Sequence, residues 1–243
     1  MPSSVIRSIV VCLLLTGVLV AGSAFAATDV GSINFLLGRK SLTKDWYLGP
    51  PIVDATGQVV EPGRAGQPSL GIELTWGREG WPAMVALDVL HSYDDGIIHV
   101  PAFFTIPAYD VRPRASTLEI GLGARRAWNV LGLTPYVGAG GSWVRANFVV
   151  EVIDPNAGQF GVLTASARGA ATAFGFWAGG GVYRRLGPRL QIGLAGRYSK
   201  ATLPASGFFQ DGPSPAPAVG TPELDGGGRH VNLVVGWSFP SRK

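Results

Sequence analysis

The sequence predicts an all-β protein, an eight-stranded antiparallel up-and-down transmembrane β-barrel. Three observations carry that reading. An N-terminal export signal precedes eight segments in which large apolar residues alternate with small or polar ones. Long and short connections alternate between these segments. Aromatic side chains gather toward both ends of the segments, with aliphatic ones between.

The signal comes first. Arg7 is the only charged side chain before residue 28, and an apolar run from Ile9 to Val20 follows it. Ala24 and Ala26 then supply an A-x-A exit. Residues 1–26 therefore read as a cleaved signal peptide, and residues 27–243 as the barrel domain. The rival, a membrane anchor helix, has too short an apolar core to span comfortably. Cys12, the only cysteine, lies within the signal, so the mature chain is expected to carry no thiol.

Composition narrows the class. Removing Arg7 from the 20 basic residues leaves 19 against 16 acidic ones, a net charge of +3. These charges are scattered, with no basic stripe for nucleic acid. Charged residues make up 15% of the chain, well below the ~25% of soluble domains. No later apolar run is long enough for a spanning helix, which excludes a helical membrane protein.

Period-two alternation assigns each strand two faces. In the last segment Val231, Leu233, Val235, Trp237 and Phe239 oppose His230, Asn232, Val234, Gly236 and Ser238. Leu118, Ile120, Leu122 and Ala124 oppose Glu119, Gly121, Gly123 and Arg125. Leu70, Ile72, Leu74 and Trp76 oppose Ser69, Gly71, Glu73 and Thr75. Leu190, Ile192, Leu194 and Tyr198 oppose Gln191, Gly193, Ala195, Arg197 and Ser199. Shorter versions occur at Ile33–Gly38, Val85–Val89 and Tyr136–Trp143. The sixth segment alternates least cleanly; Trp177, Gly179, Gly181 and Tyr183 are assigned inside, with Phe176, Ala178, Gly180 and Val182 outside. The expected spans are 30–40, 67–77, 82–94, 115–127, 133–147, 169–185, 188–201 and 227–239, near the ~9–11 residues of a tilted crossing strand.

Short turns are expected near 77–81, 129–132 and 186–188. Long loops rich in Pro, Gly, Asp and Ser are expected near 41–66, 95–114, 148–168 and 202–226. An even strand count puts all long loops at one end, which in outer-membrane barrels is the cell exterior. Pro101, Pro107 and Pro113 then fall in loops, Pro82 and Pro188 open strands, and Pro135 sits inside a strand beside a short turn. Trp76, Trp81, Trp128, Trp237 and Phe239 map near the short turns. Tyr93, Trp143, Phe148 and Tyr198 map near the long loops, giving two interfacial aromatic belts.

A soluble lipocalin-like barrel shows the same alternation turned inside out. The weaker face decides between them. It is mostly Gly, Ala and Ser with an occasional Glu, Asp or Arg, which suits a narrow lumen better than a surface in water.

The mature chain resembles the small eight-stranded outer-membrane barrels of the OmpA/OmpW-like, porin-like kind. The resemblance runs through Asn34-Phe35-Leu36-Leu37-Gly38-Arg39, Pro135-Tyr136-Val137-Gly138-Ala139-Gly140-Gly141, Ala178-Gly179-Gly180-Gly181-Val182-Tyr183 and a closing strand with aromatic Phe239. It implies a Gram-negative outer membrane, insertion by the barrel-assembly machinery, and lipid and lipopolysaccharide as surroundings. The chain departs from the pattern where Pro240-Ser241-Arg242-Lys243 follow Phe239.

Strand parity places Glu73, Asp88, Glu119, Arg125 and Arg197 inside the barrel, where enclosed charges are expected to pair across the lumen. Eight strands leave an interior only just wide enough for side chains. The expected role is therefore structural or porin-like, with a narrow, filled lumen. A narrow channel for small, possibly apolar, solutes is the alternative. A lipid-modifying enzyme is a distant third: a Ser–His–acid set could be built from Ser199, His230 and Asp225, but nothing in the local sequence marks Ser199 as an activated nucleophile. No activity of that kind is expected, and no cofactor or metal-ligand spacing is present. The long loops could bind a surface partner that their composition does not name.

Overall fold

The computed structural model describes residues 29–41, 52–53, 59–60, 66–78, 81–95, 98–100, 109–154, 162–204 and 224–240. The expected signal peptide at 1–26 lies outside them, as do Pro101, Pro107 and the prolines of 213–222.

Eight strands form the wall: β1 (Asp29–Ser41), β2 (Gln67–Trp76), β3 (Met84–Asp95), β4 (Tyr109–Ala127), β5 (Leu133–Asp154), β6 (Val162–Leu186), β7 (Leu190–Leu203) and β8 (Gly228–Pro240). Each pairs antiparallel with the next, and β8 returns to pair with β1 from Asp29↔Pro240 to Ser41↔Arg229. That last ladder closes the barrel and removes both sheet edges. In hydrocarbon each unpaired backbone group would cost several kcal/mol, so closure is what such a wall requires.

Alternation decides which side each residue takes. On β8, Val231, Leu233, Val235, Trp237 and Phe239 are exposed outside, while His230, Asn232, Val234 and Ser238 are buried. On β6, Trp177 and Tyr183 turn inward and Phe176 and Val182 outward. The outer wall is thus apolar and the interior polar, the reverse of a soluble barrel.

The short connections follow β2, β4 and β6, at the end that also holds both termini of the barrel. Leu131 and Gly132, with φ of 53° and 78°, form a two-residue turn across the Val130↔Leu133 bridge. Two consecutive left-handed residues match the twist of the strands they join. β3 and β7 begin two residues after Pro82 and Pro188, and Pro135 is paired with Val182 inside β5 near the turn.

Three strands depart from their expected lengths. β4, β5 and β6 run well past the expected 115, 147 and 169 at the long-loop end. Much of the loops expected at 95–114 and 148–168 is therefore ladder, continuing as far as Asp110↔Ile153 and Asp154↔Val162. The 22 residues of β5 span about 70 Å at about 3.3 Å per residue, longer than a bilayer is thick. Pro113 is accordingly a strand residue opposite Val150 and not a loop residue. It falls between the Asp95↔Arg114 and Ile98↔Val111 pairs, a gap where a missing donor breaks no described ladder. Phe148 is a second correction. It packs inward against Ala115, Ala146, Ala171 and Leu203 and does not join the outer aromatic belt.

Candidate functional site: the charged interior

The interior is built in layers along the barrel axis. Nearest the short turns, Ser32 and Thr75 share a 2.8 Å hydrogen bond, and the Asn34 amide donates to Ser32 at 3.2 Å and to Glu73 at 2.7 Å. Gln191 donates to the Asn34 carbonyl oxygen at 2.5 Å. Arg125 from β4 ion-pairs with Glu73 from β2. Its guanidinium carbon lies 3.3 Å from the centroid of Tyr136 and 5.4 Å from that of Tyr183. One side of the cation therefore meets a carboxylate and the other meets ring faces, both favourable to positive charge.

Above that layer, Arg197 from β7 bridges two carboxylates. It ion-pairs with Asp88 and, at 2.5 Å, with Glu119. The same guanidinium stacks 4.6 Å from the centre of the Trp177 ring. Room for this fork comes from Gly121, where a Cβ would sit 2.8 Å from Arg197 Nη2 and 2.9 Å from Trp177 Nε1. Gly138 lies under the far edge of the same indole, whose atoms would be 3.2–3.3 Å from an added Cβ. Glu119 also accepts from the Ser199 hydroxyl at 3.0 Å, and His230 Nε2 stands 3.5 Å from it.

The third layer is held by Lys40. Its ammonium donates to Thr117 Oγ1 at 3.0 Å and to the carbonyl of Gly226 at 2.9 Å. Thr117 and Ser92 are 2.5 Å apart, Ser92 donates to Gln67 at 3.0 Å, and Ser69 donates to Asn232 at 3.1 Å. Residues 224–227 continue the β8 side of the wall alongside β7: Thr202 and Leu203 pair with Asp225 and Leu224 in the register of Ser199↔Gly228, and Gly226 donates to the Ala201 carbonyl. Beyond them Leu203, Ala115, Ala146, Ala171 and Phe148 close the long-loop end with apolar packing.

Among the described residues the fully enclosed ionic side chains balance, with Lys40, Arg125 and Arg197 against Glu73, Asp88 and Glu119. Lys40 is fully buried and was not among the sequence-derived candidates. The signal for it was available, because the inward series Asn34, Leu36, Gly38 leads to Lys40 two residues on.

Ser199 and His230 do not meet as nucleophile and base. The hydroxyl donates to Glu119, both side chains are walled in, and the Asp225 carboxylate accepts from the Gly227 amide.

Outside, Trp76, Trp81, Trp237 and Phe239 are exposed at the short-turn end, where Gly31 pairs with both Trp76 and Phe239. Trp128 is half-buried beside the Arg126 guanidinium, 5.8 Å from its ring centre. Trp143 is half-buried toward the other end of β5.

No family model matches the chain, and no curated protein does. Among solved structures it is similar to Ail, the attachment invasion locus protein of Yersinia pestis, in complex with the heparin analogue sucrose octasulfate. That likeness has 10% identity and a TM-score of 0.43 over 86% of this chain and 96% of that one. It is also similar to Neisserial surface protein A, at 14% identity and a TM-score of 0.42 over 89% and 99% of the two chains. The architecture itself is plain from the ladders: a closed, eight-stranded, all-antiparallel β-barrel.

Proposed function

We propose that the protein is an integral outer-membrane β-barrel with a structural role, its lumen filled by side chains, surrounded by outer-membrane lipid and lipopolysaccharide. The single observation that carries this is the inverted distribution of polarity. Phe35, Leu37, Leu70, Leu194 and Val231 are each more than half exposed on the outer wall. Lys40, Asn34, Glu119, Arg125 and Gln191 are enclosed. An apolar band that large is unstable in water and favourable in hydrocarbon.

On this reading Trp76, Trp81, Trp128, Trp143, Trp237 and Phe239 sit at the membrane interfaces, residues 1–26 are a signal removed on export, and barrel-assembly machinery inserts the mature chain. The ion pairs of Glu73, Asp88, Glu119, Arg125 and Arg197 fill space and fix strand register. Co-flotation of the refolded protein with liposomes is the expected result. Recovery of a freely dissolved monomer without detergent would overturn the assignment.

The porin-like alternative has one supporting observation: the ionic column runs through the middle of the lumen, so any path would open there. Planar-bilayer recording distinguishes the readings. A filled structural barrel gives no unitary steps, and Glu119→Ala or Arg197→Ala leaves it silent. New steps in either variant would favour the gated channel.

A further inference from the structure

Arg39, Lys200 and Arg229 face outward from β1, β7 and β8, three adjacent strands, and all three are exposed. Arg229 pairs with Ser41 on one side and Tyr198 on the other, so Arg39 and Lys200 are its diagonal neighbours on the same face. Such neighbours lie about 7–8 Å apart, within reach of long side chains. None of the three meets a carboxylate among the described residues. Arg112 and Arg114, at the same end of the barrel, are by contrast occupied by Asp95 and Glu151.

Their height is informative. Arg229 stands ten residues from Phe239, and Lys200 ten from Leu190, which pairs with Trp237. At about 3.3 Å per residue and a tilt near 40°, ten residues rise about 25 Å, the height of an outer-membrane apolar band. The three cations thus stand at its far edge, beside Tyr198. Directly below them the wall offers Val231, Leu37, Leu194 and Leu233, all exposed.

We propose that Arg39, Lys200 and Arg229 bind the phosphate of a membrane lipid in the leaflet on the long-loop side, with its acyl chains lying on Val231, Leu37 and Leu194. This rests on the membrane reading above. The occupant is a lipid because the cations project sideways from the wall and continue into apolar surface. Three like charges with no carboxylate beside them among the described residues repel one another, and a phosphate group relieves that repulsion.

The test uses the refolded full-length mature protein in phosphatidylcholine vesicles, with spin-labelled phosphatidic acid or phosphatidylcholine as probe. The wild type should select phosphatidic acid about fivefold or more over phosphatidylcholine. Arg39→Gln/Lys200→Gln/Arg229→Gln should bring the ratio close to one. A charge-matched control, Arg78→Gln/Arg184→Gln/Arg189→Gln at the short-turn end, should keep it. Equal selectivity in wild type and site variant, or equal loss in the control, overturns the site. Loss of selectivity on adding inorganic phosphate would mean a soluble anion and overturn the lipid assignment. Should the triple variant not insert, Arg229→Gln alone is compared, with a lowered ratio expected and an unchanged one overturning the site. Wild-type protein that inserts but shows no selectivity sinks this proposal only, whereas failure to insert sinks the membrane reading with it.

Discussion

Arg125 is held between the Glu73 carboxylate and the face of Tyr136. Removing one partner of an enclosed pair leaves an uncompensated charge, which costs about 3–5 kcal/mol. Glu73→Gln should therefore lower unfolding stability in micelles by about that amount, measured as a shift in urea midpoint. Glu73→Leu/Arg125→Met, which removes both charges, should lose much less. A double variant as unstable as the single would show that packing, not charge, sets the cost. The sequence located these carboxylates and guanidiniums on one face, because side-chain direction in a strand repeats every two residues. It could not name partners. Arg197 reaches Asp88 and Glu119 only because the barrel brings β7 opposite β3 and β4 across the lumen.

At the level of elements, the Leu131-Gly132 turn is a place where composition and geometry disagree. Leucine in the left-handed region costs about 1–2 kcal/mol relative to glycine, and Leu131 is almost fully exposed. Leu131→Gly should raise stability by about 1 kcal/mol, read from the same urea titration. No stabilisation would mean that the turn relaxes in solution. The projecting part of β3 and β4 carries a different device. Arg112 makes a two-point contact with Asp95, both bonds 3.1 Å, and these hydrogen bonds hold the Asp95 carboxyl below its ordinary value. A depressed folded-state value gives stability that is present above the unfolded pKa of about 4 and lost as pH falls through the folded one. The difference between wild type and Asp95→Asn should hold steady from pH 7 to pH 5 and shrink below about pH 4. The pair is exposed, so the difference should be small and should weaken with salt. The extra length of β4, β5 and β6 was not legible. Loop-like Pro113 argued for a break, and the neighbouring ladder that tolerates it is a tertiary fact.

For the whole molecule, the apolar wall and the closed ladder make one prediction together. Leu233 points outward midway between Phe239 and Arg229. Leu233→Arg should cost about 2–4 kcal/mol in a bilayer, the penalty for a cation at the midplane of a barrel. A negligible cost in lipid vesicles would contradict a membrane-embedded wall. Inside, Lys40→Met removes the ammonium that holds the Gly226 carbonyl. Amide exchange at Gly226 and Gly227 should then quicken while exchange in β7 and β8 stays slow. Uniform quickening would mean that Lys40 supports the barrel as a whole.

The sequence by itself determined the number of wall strands and the face taken by most wall residues, Phe148 excepted, because alternation is a property of neighbouring residues along one chain. Only the tertiary structure decided that β8 meets β1, that Phe148 turns inward, that three strands outrun their expected spans, and that Lys40 reaches Gly226. Those outcomes depend on register and on the stagger of strands around the barrel, which set distances between residues far apart in sequence.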